Sequence, residues 1–331
     1  MSIDATPGRG SDPRSAAGRD VLAAAVAVVP APDGAAPSLV FSQHGWADNN
    51  RKMLAFGLAV APPGAEVVAP DLGFVRTWLR FEPLVELVEA EAAAFFDQLP
   101  DATARIVGHS MGGLIWLTIL DRRPEWRERV AALVLIGCPV RGADLAGIVD
   151  RQGWTIGRDL AVDRSATASR VAAAVPTISV AGDLILASDG AITCRSARVD
   201  GARFVCLPRE SHPGLIKSDR VVRLVRAYLQ DPNPPDTDLR PVVARLRSVP
   251  GMADLPLGTP AAAGAAGAAV ALLFRDGANI RLRHPAFGNV QVAAADGEGR
   301  CLWAGATGRA HVRALRHALE AIEGDSAVSV A

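Results

Sequence analysis

The chain has 331 residues, half of them apolar, and its 35 basic and 35 acidic side chains balance to a formal net charge of zero. This composition is typical of a globular protein with a well-filled core and excludes a disordered or fibrous chain. The even charge indicates no surface for nucleic acid or an anionic membrane. We therefore expect one large domain, or one large and one small.

The N-terminal region contains a polar tail followed by an apolar run. Residues 1–19 are rich in Gly, Ser, Pro and Arg, which predicts a disordered tail. The run "VLAAAVAVV" at 21–29 resembles the core of a signal peptide, but Asp20 directly precedes it. Its alternation favours a β-strand, and we expect it to pair with a strand at 38–43. The small apolar stretch 261–274 is shorter than the roughly 18 residues that span a bilayer.

The four cysteines are Cys138, Cys194, Cys206 and Cys301. They form no CxxC pair, and no histidine cluster lies near them, so we expect no zinc site. Their apolar surroundings favour buried, reduced thiols over disulfides, and hence a cytoplasmic protein. No G-x-G-x-x-G follows the first strand, so we expect no bound dinucleotide.

A series of short apolar runs rich in β-formers dominates the first two thirds of the chain. The runs are at 38–43, 65–70, 104–109, 131–137, 177–182 and 203–208. They do not alternate cleanly, which is typical of strands buried on both faces. Helical patterns lie between them at 82–99, 112–124 and 213–229. This order predicts an α/β domain over 20–232 with a doubly wound, mostly parallel sheet. The long interval 138–176 predicts a lid or substrate-binding insertion.

The pattern changes after the proline-rich linker "DPNPPDT" at 231–237. Helices are predicted at 238–249 and 308–323, with strands between them at 269–274, 279–284, 289–294 and 300–305. The turns between these strands contain Asp-Gly and Gly, which favour hairpins. We expect a small antiparallel α+β module over 233–331, whose role the pattern does not indicate and through which the chain could oligomerise.

The segment "GHSMG" at 108–112 follows a predicted buried strand and precedes a predicted helix. G-x-S-x-G in this setting is typical of a nucleophile elbow, a sharp turn that lifts the serine above the sheet. Small residues two positions on either side, Gly108 and Gly112, let strand and helix pack closely. Ser110 is therefore the candidate nucleophile.

A serine hydroxyl requires a base, and that base requires an acid to orient it. Of the six histidines, only His212 lies after the last strand of the α/β unit and before its last helix. Two acids follow the preceding strand, Asp183 at its end and Asp189 six residues later. Both keep the chain order Ser, Asp, His, so position leaves both open.

The oxyanion of an acyl-transfer reaction needs preorganised N–H donors. The amide of Met111, directly after the serine, is one candidate. The sequence "HGW" after the strand at 38–43 offers the amide of Trp46 as the second. We expect His44 to order this loop and not to act as a second base.

Six segments follow one another in the order of a known family: "FSQHGWADNN", "VVAPDLG", "IVGHSMGGLI", "LVLIGCPVRGADLA", "AGDLILASDGAITCRSARV" and "SHPGLIKSDRVVRLVRAYL". Over about 21–230 the chain resembles α/β-hydrolase-fold serine esterases and lipases. In similar proteins the acid precedes a glycine and, a few residues later, a Ser-Ala pair. The pairs Asp189-Gly190 and Ser196-Ala197 fit that arrangement, so the resemblance favours Asp189.

The resemblance is weaker at "CPVRGADLA", which is similar to the "TPHxGS" segment of lipases. Cys138, Val140 and Ala143 replace the Thr, His and Ser of that segment, which weakens a lipase assignment and leaves the triad untouched. The resemblance implies hydrolysis of a small acyl ester or thioester through an acyl-enzyme, without metal or cofactor. It does not extend to 235–331.

Apolar residues near the predicted site suggest an acyl pocket. Trp46 and, in the insertion, Leu145, Ile148, Trp154 and Ile156 are the candidate substrate-binding residues, with Trp78 and Leu79 on an opposite wall. Alternatives remain: an acyltransferase or thioesterase with the same triad, or a C–C hydrolase or haloperoxidase on the same fold. In a different class, the chain would be a partner-binding or assembly protein with a relict site.

Overall fold

The computed structural model describes residues 24–30, 37–143, 156–184, 187–257 and 268–325. These residues form a seven-stranded sheet and a five-stranded sheet. The predicted disordered tail at 1–19 lies outside the described residues.

The larger sheet contains β1 (Ala25–Val28), β2 (Ser38–Gln43), β3 (Ala65–Ala69), β4 (Thr103–His109), β5 (Val130–Ile136), β6 (Thr177–Asp183) and β7 (Arg203–Pro208). Their order is β1-β3-β2-β4-β5-β6-β7, and every pair after the first is parallel. The prediction of a mostly parallel sheet is therefore confirmed.

The predicted partner of the first strand was wrong. β1 lies antiparallel to β3, with Ala25 opposite Ala69, and not beside β2. Both edges of β2 are occupied, by β3 on one side and β4 on the other. The outer edge of β3 is therefore where the N-terminal strand joins the sheet.

Helices cover both faces of this sheet. They are α1 (Asn50–Val60), α2 (Glu82–Gln98), α3 (Met111–Arg122), α4 (Ile156–Ala161), α5 (Ser165–Ala172) and α6 (Asp219–Gln230). Adjacent residues of β4 enter opposite cores: Ile106 packs with α2 and α3, and Val107 with α1 and α6. Burial on both faces is the reason why the strand sequences do not alternate. None of the helices in the described part of the chain is long and apolar enough to cross a bilayer.

The insertion predicted at 138–176 is described in part. Its second half forms α4 and α5, and Ile156 at the start of α4 is fully buried in the core on the α2 and α3 side. An ion pair of 2.7 Å between Arg170 of α5 and Asp121 joins this half to α3. Residues 144–155 lie outside the described ranges.

The smaller sheet follows the linker. Its elements are α7 (Leu239–Arg247), β8 (Ala253–Asp254), β9 (Ala268–Leu273), β10 (Asn279–Arg283), β11 (Val290–Ala295), β12 (Cys301–Thr307) and α8 (Val312–Glu323). The strand order is β8-β12-β11-β10-β9, with every pair antiparallel, as the hairpin signals predict. α7 and α8 share a third core with one face of this sheet.

The two sheets meet along β7. The N–H of Phe204 donates to the carbonyl of Gly297 at 2.7 Å. The guanidinium of Arg203 donates to the carbonyls of Pro234 at 2.8 Å and Asp276 at 3.1 Å. Val270 of β9 belongs to the same apolar core as residues of β7 and α6. The C-terminal strands thus cover an edge of the parallel sheet that would otherwise be open to pairing.

The cysteine prediction was wrong for one pair. Cys194, in the segment after β6, and Cys206, in β7, form a disulfide, with Cα atoms 6.2 Å apart. The chain leaving β6 folds back beside β7, which brings together two residues that the sequence alone does not relate. Cys138 is free and buried, as expected, and Cys301 is free and half-buried. Because of this disulfide, the cysteines no longer support the prediction that the protein resides in a reducing compartment.

Candidate active site

Ser110 stands alone between β4 and α3 in a strained backbone conformation, with φ 55° and ψ −126°. A Cβ on Gly108 would lie 2.5 Å from the Cα of Gly113, and one on Gly112 would collide with the carbonyl oxygens of Gln43 and His44. The glycines at these two positions therefore allow β4, α3 and the loop after β2 to converge around the serine.

His212 and Asp189 form the central side-chain contact of the site. The Nδ1–H of His212 donates to Oδ2 of Asp189 at 2.7 Å. The other carboxylate oxygen, Oδ1, accepts from the amides of Ala191 at 2.9 Å and Ile192 at 2.7 Å. The backbone N–H of His212 also donates to the carbonyl of Asp189, at 2.9 Å. Four hydrogen bonds thus fix the carboxylate and the imidazole relative to each other.

Asp183, the other acid candidate, has different partners. Its carboxylate accepts from the amide of Ala187 at 2.9 Å, and its carbonyl accepts from the amide of Arg209 at 2.7 Å. It therefore holds the base of the loop that carries Asp189. Of the two carboxylates that position left open, Asp189 is the one that contacts His212.

The imidazole of His212 lies beside the serine turn. A Cβ on Gly137 would be 3.0 Å from both Cε1 and Nδ1 of His212, so the ring rests on the backbone just after β5. The preceding residue, Ile136, accepts a hydrogen bond of 2.8 Å from the amide of Ser110. Because β4 and β5 are neighbours, this contact places the ring next to Ser110.

His109 is a site residue that the sequence did not single out. Its ring centroid is 4.8 Å from that of His212, and its Nε2–H donates to the carbonyl of His212 at 3.2 Å. Burial, together with the adjacent His212, lowers the pKa of His109 to about 3, so the ring is neutral. Its Nδ1 is buried without a partner among the described residues. The only sequence signal was its place next to the serine.

The loop after β2 touches the serine turn directly. A Cβ on Gly45 would lie 2.9 Å from Cβ of Ser110 and 3.0 Å from the amide nitrogen of Met111. Within the part of the chain that the structure covers, neither the Trp46 amide nor the Met111 amide donates a hydrogen bond to a protein group. Unpaired backbone donors are uncommon in buried positions, so these two amides are available to a ligand.

His44 orders this loop. Its Nδ1–H donates to the carbonyl of Gly45 at 3.0 Å, and its Nε2 accepts from the amide of Leu72 at 3.0 Å. Burial lowers the pKa of His44 below its ordinary value, despite the nearby carboxylate of Asp71. A neutral ring with both nitrogens engaged has a structural role and no free lone pair for proton transfer.

The predicted substrate residues are only partly described. The rings of Trp46 and Trp78 pack edge to face with centroids 4.4 Å apart, and Phe74 lies 6.3 Å from Trp78. Phe74 and Leu79 are each more than half exposed. These side chains form an apolar surface next to the Trp46 amide. Leu145, Ile148 and Trp154 lie outside the described residues, and their role stays a prediction.

No protein-family profile and no curated protein sequence matches the chain. Among solved structures, the mature lipase of Bacillus licheniformis is 17% identical, with a TM-score of 0.45 over 58% of this chain and 93% of its own. Est1E from Butyrivibrio proteoclasticus is 14% identical, with a TM-score of 0.49 over 63% and 93%. The meta-cleavage product hydrolase of Pseudomonas fluorescens is 18% identical, with a TM-score of 0.45 over 65% and 98%.

The order of the larger sheet and the serine turn between β4 and α3 identify the architecture. The fold is that of the α/β-hydrolases. In this α/β-hydrolase fold the four candidate segments follow β2, β4, β6 and β7, and carry Trp46, Ser110, Asp189 and His212. Because these strands are parallel, their carboxyl ends lie at one edge of the sheet, where open α/β sheets bind ligands. Among the described residues no cluster of His, Cys, Asp and Glu could hold a metal ion.

Proposed function

We propose that this protein is a serine hydrolase that cleaves carboxylic esters through an acyl-enzyme, with Ser110 as nucleophile, His212 as general base and Asp189 as the acid. The observation that supports this most is the 2.7 Å hydrogen bond from Nδ1 of His212 to Asp189. It fixes the tautomer in which Nε2 carries a lone pair and can accept a proton.

In the first step the Oγ of Ser110 bonds to the acyl carbon while its proton passes to Nε2 of His212. The carbonyl oxygen becomes an oxyanion, which the amides of Met111 and Trp46 stabilise. The tetrahedral intermediate then expels the alcohol, which takes the proton from His212. Water then bonds to the acyl carbon while the same imidazole takes its proton. The C–Oγ bond breaks, Oγ of Ser110 takes that proton back from His212, and the acid is released.

Asp189 orients the ring through this cycle and stabilises the imidazolium. Its second oxygen is held by two backbone amides, so the carboxylate cannot rotate away from the ring. The apolar surface of Trp46, Trp78 and Phe74 supports an acyl group without charge as the preferred substrate.

A fluorophosphonate probe tests the proposal. The wild type should be labelled at Ser110 and should hydrolyse p-nitrophenyl esters, whereas Ser110→Ala should lose labelling and about 10³-fold or more of the rate. Equal labelling of both proteins, or no labelling of a folded wild type, would refute it. A chain-length series of esters and the matching thioesters then defines the acyl group and the leaving group.

A further inference from the structure

The loop that carries the candidate oxyanion donor is held from a second segment of the chain. Ala47, directly after Trp46, has a φ of 53°, which is unfavourable for a residue with a Cβ. Its N–H donates to Oγ1 of Thr77 at 3.1 Å. This bond fixes the peptide between Trp46 and Ala47, and with it the ψ angle of Trp46.

The hydroxyl of Thr77 makes two hydrogen bonds, one as acceptor and one as donor. Thr77 is fully buried, and its own O–H donates to the carbonyl of Phe74 at 2.6 Å. With its proton committed to Phe74, the oxygen can only accept from Ala47. The side chain therefore cannot rotate to another partner without leaving the Ala47 amide and the Phe74 carbonyl unpaired.

The opposite end of the loop is fixed by His44. The imidazole accepts a hydrogen bond from the Leu72 amide and donates one to the Gly45 carbonyl. Gly45 itself packs on Ser110 and Met111. Both ends of 44–47 are thus anchored to the segment 72–77. The amide of Trp46, which has no partner among the described residues, lies between the two anchors.

We propose that Thr77 is a positioning residue that holds the Trp46 amide in the oxyanion hole through its hydrogen bond to Ala47. The proposal rests on the proposed serine-hydrolase function. It predicts that Thr77 acts on the transition state through Trp46 and contributes little to the binding of the ground-state substrate.

The chain allows a nearly isosteric test. Thr77→Val removes the hydroxyl and keeps the shape, whereas Thr77→Ser keeps the hydroxyl and removes the methyl group. With p-nitrophenyl butyrate, Thr77→Val should lower kcat by about tenfold or more, because loss of geometry at a reacting centre is costly, and should leave KM within about twofold. Thr77→Ser should retain kcat within about threefold.

A second readout separates positioning from packing. An aryl trifluoromethyl ketone places an oxyanion in the hole, so its affinity should fall with kcat in Thr77→Val and recover in Thr77→Ser. Thr77→Ala provides a second variant without the hydroxyl, should Thr77→Val not fold, and should show the same loss of kcat.

The proposal is overturned if a folded hydroxyl-free variant keeps the wild-type kcat. It is equally overturned if Thr77→Ser is as impaired as Thr77→Val, since shape and not the hydroxyl would then matter. A wild type that no fluorophosphonate labels would instead refute the hydrolase function itself. That labelling experiment distinguishes the two failures.

Discussion

The two units of this chain differ in whether residues with a side chain adopt left-handed backbone. Among the described residues of the α/β unit, positive φ angles occur at six glycines and at four residues with a side chain. Each of the four closely follows a strand: Ala47 after β2, Ser110 after β4, Ala187 after β6 and Arg209 after β7. In the described part of the C-terminal unit, positive φ occurs only at glycine. Its turns use the residue that adopts this conformation without cost.

This difference indicates which unit keeps strained backbone for a function other than stability. Strained non-glycine residues persist where the surrounding structure over-determines them, and they concentrate at functional sites. All four lie in the segments that carry the candidate catalytic groups or their anchors. The antiparallel unit has no comparable concentration, which is consistent with a supporting role for its described residues, beside β7.

The largest expected effect concerns the two aspartates of the acid loop. Asp189→Asn should lower kcat/KM by about 10⁴-fold, because the amide favours the wrong tautomer of His212. Asp183→Asn keeps an oxygen for the Ala187 amide and should stay within about tenfold of wild type. Steady-state hydrolysis of p-nitrophenyl butyrate measures both. A reversed order of the two variants would move the acid to Asp183.

The glycines of the two units should differ in what they tolerate. Gly108→Ala places a Cβ against the backbone of Gly113 and should destabilise the fold by more than about 3 kcal/mol. A Cβ at Gly288 would meet no atom within 4 Å, so Gly288→Ala adds only the strain of its φ of 93°. We expect this strain to lower the free energy of unfolding by about 1–2 kcal/mol. Urea unfolding of each variant gives the comparison. Equal losses would contradict the steric account of the elbow.

Removal of the disulfide should have the next largest effect. Cys194→Ser with Cys206→Ser opens a loop of 12 residues and should cost about 3 kcal/mol of unfolding free energy. Because Cys194 lies five residues after Asp189, kcat should fall as well. Cys301→Ser, at a free cysteine of the C-terminal unit, is the matched control. If stability is unchanged in the double variant, the bond is absent from the protein in solution.

A buried carboxylate tests how strongly the linker is held against the C-terminal strands. Asp276 is 2% exposed and accepts from the amide and hydroxyl of Thr237, at 2.7 and 2.8 Å, and its backbone carbonyl accepts from Arg203. Asp276→Ala should cost about 2 kcal/mol, because buried donors lose their partner. Glu298→Ala, at an exposed ion pair with Arg300, should cost under about 1 kcal/mol. Thermal unfolding of both variants measures the difference.

The smallest expected effect is a pH dependence at α2. Burial raises the pKa of Glu91 to about 7, with the charge of Asp71 contributing, and both carboxylate oxygens lack partners in the described chain. Folded Glu91 keeps its proton up to about pH 7, whereas the unfolded side chain loses it near its ordinary value of 4.5. The wild type therefore loses stability as pH rises through this window.

Glu91→Gln stays neutral and should become more stable than wild type as pH rises from 4.5 to 7. Since the side chain is partly exposed, solvent screening limits the gain to about 1 kcal/mol. Urea unfolding at pH 5 and pH 8 provides the measurement, with Glu86→Gln on the exposed face of the same helix as control. A gain that is equal at both pH values would show that ionisation of Glu91 is not its cause.

Local patterns were sufficient for most elements of the fold. The strand β4 and the helix α3 were predicted within one or two residues, because apolar runs and helical spacing depend on neighbours in the chain. The insertion was harder to predict, since its second half forms helices that complete the core. The pairing of β1 with β3 was also missed, because strand order depends on which sheet edges remain free.

The sequence by itself determined the serine turn, the glycines that permit it, and the order of serine, acid and histidine. These features depend on short-range sterics and on the alternation of strands and helices, both of which are present in the spacing of residues. Only the tertiary structure decided that Asp189 and not Asp183 contacts His212, that Cys194 and Cys206 bond, and that Thr77 holds Ala47. Each of these contacts joins segments whose approach depends on loop geometry, and no local pattern encodes that geometry.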